Sequence, residues 1–230
     1  MRVTFRPFPE KLTPLTAEAD AVHVWTAPLD PPPAAAAELH AVLSDAERAR
    51  RDRFRLPAAG GQFAHTRGLL RHLLAAYTGV PPAGLRFDTT VDGKPYLVGG
   101  HIQFNVSHTA GLAAFVVAAR PAGVDVERVR EVASADGLVG RYFTPAEIER
   151  YHSLPEAARP TAFLRGWTCK EAVLKGVGCG TRGLERCQVE IDPGRPPRVY
   201  QAPDGGRWEL TCWVPAAGFV GAVAVGEGKE

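Results

Sequence analysis

Two carboxylates stand two residues apart in Gly123-Val-Asp-Val-Glu127. On a strand such residues project to one face, so Asp125 and Glu127 point together while Val124 and Val126 take the face that suits a core. Side by side, like charges repel unless a cation sits between them; on a solvated strand edge the same pair is merely two surface residues. A second segment, Trp167-Thr-Cys-Lys-Glu-Ala-Val-Leu-Lys175, reads as helix and puts Trp167, Glu171 and Lys175 on one side at i, i+4 and i+8. An exposed Glu171–Lys175 pair would contribute only about 0.3–0.5 kcal/mol. Trp167 on the same stripe argues for a partly buried face, where a carboxylate needs a partner. Hard divalent cations take oxygen ligands, and magnesium combines a few protein carboxylates with water or phosphate oxygens. Asp125, Glu127 and Glu171 would supply such a set, leaving Lys175 to meet a phosphate.

Basic residues form a second candidate group. Arg67 falls four residues after Phe63 and three before Leu70, on the apolar stripe of its own helix. It either snorkels at the edge of that stripe or turns toward a buried anion, since a guanidinium fork matches phosphate geometry. Arg48, Arg50, Arg51, Arg53 and Arg55 crowd one short helix and fill both of its faces, so most are solvated. Arg50 and Arg53, three apart on one face, are the pair suited to a shared phosphate.

Positioning these groups requires a run of short elements. A strand at 22–25 precedes the prolines Pro31–Pro33 and an alanine run that read as a surface connection. Ser44-Asp-Ala-Glu47 has capping-box form, predicting a helix to about Arg55; a second helix spans 62–78, with Phe63, Leu70, Leu74 and Tyr77 on one stripe, and stops at Gly79 and Pro81. Alternation of Ile102, Phe104 and Val106 with Gln103, Asn105 and Ser107 predicts a half-buried strand, followed by a turn at 108–111 and the apolar run 112–119. Helices at 145–151 and 158–176 and further strands complete the chain. Segment 209–214 followed by Gly218-Phe-Val-Gly-Ala-Val-Ala-Val225 resembles 102–106 followed by Gly111-Leu-Ala-Ala-Phe-Val-Val-Ala118. An internal duplication and chance are equally good accounts of that match. Hairpin-length links outnumber helical crossovers, so the class is α+β with mainly antiparallel strands.

Composition narrows the function classes. The chain has 230 residues, 45% of them hydrophobic, enough for a real core, and a formal charge of only +2. Binding nucleic acid by bulk electrostatics is therefore disfavoured, and no aromatic platform lies near the basic helix. No run approaches the ~20 apolar residues that span a bilayer, and the N-terminus lacks a signal-peptide pattern, so a soluble cytoplasmic protein is expected. Cys169, Cys179, Cys187 and Cys212 show no CxxC or zinc-like spacing and read as reduced thiols.

Four segments occur in a telling order: Gly93-Lys-Pro-Tyr96, Phe104-Asn-Val-Ser-His108, Gly123-Val-Asp-Val-Glu127 and Trp167-Thr-Cys-Lys-Glu-Ala-Val-Leu-Lys175. Together they resemble the 4'-phosphopantetheinyl transferase superfamily, in the longer single-chain type that activates carrier proteins of peptide and polyketide synthases. Arg67-Gly-Leu-Leu-Arg71 and the basic helix extend the resemblance over most of the chain. It implies two similar α+β halves, here residues 1–120 and 121–230, related by a pseudo-twofold axis with coenzyme A and magnesium in the cleft between them. It also implies a monomer that transfers the phosphopantetheine arm of coenzyme A to a carrier-protein serine, with no nucleic-acid or membrane partner. By the same resemblance, Asp125, Glu127 and Glu171 match magnesium ligands and Lys175 a phosphate contact. Glu171 or a water held by the metal is the serine's base. Ser107 and His108 match contacts to the coenzyme A phosphates and Lys94 a contact to the nucleotide, while the 3'-phosphate would be the anion for Arg67. The loop 178–184 has no clear counterpart and receives no role beyond the lip of the site. A coenzyme A-binding regulator and a magnesium phosphohydrolase on the same fold are the alternatives.

Overall fold

The computed structural model describes residues 1–109 and 111–228. Along the chain run β1 (Arg2–Pro7), β2 (Ala21–Pro28), α1 (Pro33–Ala41), α2 (Asp45–Asp52), α3 (Pro57–Thr78), β3 (Phe87–Thr89), β4 (Pro95–Leu97), β5 (Gln103–Thr109), β6 (Leu112–Ala118) and β7 (Ala122–Arg128). Then follow α4 (Ala135–Tyr142), α5 (Pro145–Ser153), α6 (Arg159–Val177), β8 (Gln188–Val189), β9 (Val199–Gln201), β10 (Trp208–Trp213) and β11 (Phe219–Gly226). The fold is α+β. One sheet has the order β1-β2-β6-β5, the other β10-β11-β7, and every pairing is antiparallel except β1 with β2.

The layering follows from which faces are apolar. Leu70, Leu73 and Leu74 of α3 pack on Phe104, Phe115 and Val117, covering one face of the first sheet. The opposite face meets the second sheet through Val22, Val24, Ala114, Val116, Val124, Val126, Val223 and Val225. Helix α6 covers the far side, with Ala172, Val173 and Leu174 in one core with Ala222 and Ala224. Strand β6 is buried throughout because both its faces are covered.

Several expected boundaries move, each for a physical reason. The alanine run is a helix rather than a connection: Pro33 occupies its first turn, where a missing N–H costs nothing, and alanine is the best helix former. Leu39 then docks against Gly68 of α3, where a Cβ would collide with Leu39 O. Helix α3 begins at Pro57 for the same N-terminal reason and ends, as expected, at Gly79 with φ 71°. Helix α2 stops at Asp52 instead of Arg55. Strand β1, paired in parallel along β2, and helix α4 were not expected from the pattern. The strand starting near 102 continues through His108 and Thr109, so the turn is shorter than expected, and its Ala110 lies outside the described residues.

Helices α2 and α5 use one helix-start device. At Ser44 the serine Oγ accepts from Glu47 N, and Glu47 Oε2 accepts from Ser44 N at 2.8 Å; Thr144 and Glu147 do the same, at 2.7 Å. Each glutamate also receives a cation from the next long helix: Arg71 Nε at 2.7 Å from Glu47 Oε2, and Lys170 Nζ at 2.5 Å from Glu147 Oε2. This recurrence adds to the repeated hairpins as support for a duplication. Glu147 further accepts from Val189 N at 2.8 Å, tying α5, α6 and β8 together. Lys170 is fully buried beneath it. Truncating one member of a buried pair strands the other's charge, at a cost of about 3–5 kcal/mol. Glu147→Ala is therefore expected to lose that much in urea unfolding, and a loss below 1 kcal/mol would contradict this account.

Candidate active site

Position along α6 is set by glycine. A Cβ at Gly123 would collide with Ala172 O and Gly176 N, so glycine here lets α6 lie directly on β7. That approach brings Lys175 over Asp125, which is 3% exposed, hardly a solvated strand edge. Lys175 Nζ donates to Asp125 Oδ1 at 2.6 Å and to Ser107 Oγ at 3.0 Å, while Ser107 Oγ donates to Asp125 Oδ1 at 2.7 Å. Ser107 also accepts from Val126 N, and its β5 neighbour Asn105 accepts from Val124 N at 3.2 Å. The polar face of β5, expected to be wet, is thus buried: Asn105 and Ser107 act as side-chain rungs between the edges of the two sheets.

Glu127 and Glu171 line the same place and are half-buried. Burial first, and then the Asp125 charge, pushes Glu127 above the usual carboxylate value. Glu171 is also pushed up, by burial first and by Asp125, against a lowering pull from Lys175. Asp125 Oδ2 is buried with no hydrogen-bond partner. An orphaned carboxylate oxygen beside two disfavoured carboxylates suits a hard cation. Among the described residues no three acidic, His or Cys side chains stand together as a ready-made cage, but magnesium is commonly held by only one or two protein carboxylates. The unpartnered Asp125 oxygen, with Glu127 and Glu171 beside it, makes these three the candidate holders if a magnesium ion binds here.

The other predicted residues divide into groups. His108 stands beside the cluster with its surface exposed, its imidazole pushed down by surrounding protein and by Lys175. Lys94 Nζ donates to Gly176 O at 2.5 Å, next to Lys175, and burial lowers its pKa to about 8. Arg182, in the loop 178–184, pairs with Asp92 just before Lys94. That loop, unread in the sequence, thus joins the Lys94 loop to the end of α6. Arg67 Nε donates to Glu47 Oε1 at 2.5 Å, and its guanidinium lies 4.3 Å from the Phe87 ring centre. Arg67 therefore neither snorkels freely nor lacks an anion. Arg50 rests over Phe63 at 4.9 Å, and Arg53 is exposed at the end of α2. Phe87, under Arg67 and Arg71, meets Phe104 edge-on at 5.7 Å. Sequence reasoning missed Glu47 as the acceptor that organises Arg67 and Arg71; the capping box gave its position but not its second role.

Known proteins share this arrangement's sequence. A 4'-phosphopantetheinyl transferase, HetI, from Nostoc sp. is 39% identical over 227 residues, covering 96% of this chain and 93% of its own. The chain belongs to the 4'-phosphopantetheinyl transferase superfamily. The superfamily model itself matches residues 121–224, the part that carries Asp125, Glu127, Glu171 and Lys175. A putative 4'-phosphopantetheinyl transferase of Synechocystis sp. is 32% identical, covering 82% of this chain and 78% of its own. A Bacillus subtilis 4'-phosphopantetheinyl transferase is 28% identical over 49% of this chain and 50% of its own. The almost end-to-end match to HetI, with the similarity to the Bacillus subtilis enzyme, places this transferase in the longer, single-chain type.

Proposed function

We propose that this transferase moves the 4'-phosphopantetheine arm of coenzyme A onto a serine of an apo acyl or peptidyl carrier protein, releasing 3',5'-adenosine diphosphate. The observation that carries this reading is the Lys175–Asp125–Ser107 cluster held under α6 in a member of this superfamily. The carrier serine's Oγ attacks the β-phosphorus of coenzyme A and the adenosine diphosphate oxygen leaves. Reactions of this kind reward positioning and charge neutralisation. Lys175 uses two of its three ammonium hydrogens on Asp125 and Ser107, which leaves one for a phosphate oxygen. Glu171, with its basicity raised, accepts the serine proton directly or through one water. Magnesium, held by Asp125, Glu127 and Glu171, would neutralise charge growing on the pyrophosphate.

His108 and Lys94, beside the cluster, are the further phosphate and nucleotide contacts of this reading. Arg50, Arg53 and Arg67 would bind the 3'-phosphate, and the remaining arginines would steer acidic carrier proteins. The two halves, 1–120 and 121–230, would flank the cleft in a cytoplasmic monomer. The described helices include none long and apolar enough to cross a membrane.

Incubation with coenzyme A, magnesium and a panel of apo carrier proteins is expected to add the mass of phosphopantetheine to at least one of them. Release of 3',5'-adenosine diphosphate without any carrier would favour a phosphohydrolase instead. Arg67 spends only its Nε on Glu47, so its terminal nitrogens can still hold phosphate. Arg67→Ala is expected to weaken coenzyme A at least tenfold, the scale of a lost charge-assisted contact, and dephospho-coenzyme A much less. Equal losses for both ligands, measured by calorimetry, would reject the contact.

A further inference from the structure

Away from the phosphate site, two thiols face each other across the interface of α6 and β10. Cys169 is buried on α6 and Cys212, on β10, is partly accessible; their sulfurs are 3.4 Å apart in a hydrogen bond. One helical turn before Cys169 lies Arg165. Its two terminal nitrogens donate to Pro193 O and Arg195 O, while its Nε is buried without a partner. A guanidinium with an unspent donor beside a thiol pair is the electropositive setting that makes a cysteine reactive.

We propose that Cys169 and Cys212 are a redox-active dithiol that hydrogen peroxide closes to an internal disulfide, tying α6 to β10. Cys212 is the attacking member. Cys212 is the partly accessible one of the two, so the peroxide reaches it first, whereas the buried Cys169 is placed to resolve the oxidised sulfur. The Cys212 thiolate attacks one peroxide oxygen, breaking the O–O bond, and becomes a sulfenic acid as hydroxide leaves and takes up a proton. Cys169 then attacks the sulfenic sulfur; the S–S bond forms, the S–O bond breaks and a second water departs with the Cys169 proton. One peroxide is reduced to two waters and two thiols are oxidised to one disulfide. Closing from the 3.4 Å contact to a bond of about 2.05 Å asks for a shift of roughly 1.4 Å between the sulfurs. The other cysteines serve as internal comparisons. Among the described residues only Cys169 and Cys212 stand in thiol–thiol contact, so Cys179 and Cys187 have no resolving partner at hand.

The test uses the full chain, reduced, desalted, treated with one equivalent of hydrogen peroxide, then alkylated. Expected are a loss of two hydrogens from the intact mass, two alkylated cysteines instead of four, and a cross-linked peptide pair containing Cys169 and Cys212 that dithiothreitol releases. In Cys169→Ser, oxidation is expected to stop at a sulfenic acid on Cys212 that dimedone traps; in Cys212→Ser, Cys169 is expected to stay reduced. Four thiols still alkylated after peroxide, a cross-link through Cys179 or Cys187, or Cys212 of the unaltered chain passing to sulfinic acid while Cys169 stays free would each overturn the assignment. The arm on the unaltered chain decides the matter even if a serine variant fails to fold.

Discussion

Lys175→Met is expected to slow carrier-protein modification by roughly 10²–10³-fold, the usual consequence of removing one preorganised group from a developing charge, about 2.7–4 kcal/mol. Sequence spacing allowed a weaker account, an exposed i,i+4 pair with Glu171. The structure gives Lys175 a different partner, Asp125, at 2.6 Å. Its removal therefore also leaves a buried carboxylate with only Ser107 as a side-chain donor, and the variant should lose about 1–3 kcal/mol of stability, as for an unsatisfied buried group. The two effects separate in the double variant Asp125→Asn, Lys175→Met. Stability should largely return, because no buried charge is stranded, while transfer stays low. Lys175→Arg should rescue only in part, since a planar fork cannot occupy the place of a compact ammonium between Asp125 and Ser107. Steady-state transfer to one carrier protein, with coenzyme A and magnesium saturating, is the decisive measurement. A Lys175→Met enzyme within threefold of the unaltered chain would refute the catalytic role.

What could be read from the sequence was whatever local geometry determines. Asp125 and Glu127 share a face because a strand repeats every two residues, and Val124 and Val126 are in the core opposite them, as expected. The Trp167–Glu171–Lys175 stripe follows from helical spacing in the same way. Partners lying far along the chain were not legible. Lys175 meets Asp125 across 50 positions and Lys94 meets Gly176 across 82, and no periodicity encodes such pairs. The buried polar rungs Asn105 and Ser107 looked like a solvent face because alternation distinguishes apolar from polar, not wet from dry. Their burial came from a second sheet edge that only the three-dimensional arrangement supplies. Helix α1 was hidden by its prolines, which mark a loop when counted by type and a helix start when the position of Pro33 is known.

Glu171→Gln is expected to abolish nearly all transfer, by roughly 10²-fold or more for loss of a proton acceptor, without destabilising the metal-free protein. Burial and the Asp125 charge raise the folded-state pKa of Glu171 above its ordinary value. A raised carboxylate is cheapest to fold when protonated. Its favourable contribution is complete below the unfolded value, about 4.3, and is lost as the pH rises through the higher folded value. At neutral pH the ionised Glu171 thus works against folding, and Glu127, raised for similar reasons, does the same. The glutamine variant should therefore melt at the same temperature as the unaltered chain or higher at pH 7, with the advantage fading near pH 4. Added magnesium should reverse the order, because the unaltered chain gains a cation among its carboxylates and the variant loses one of the oxygens that would hold it. Thermal unfolding at the two pH values, with chelator or with magnesium, covers all four conditions. A clear fall in melting temperature of the chelated variant at pH 7 would show instead that Glu171 supports the fold, and would remove it from the set of metal and proton-transfer residues.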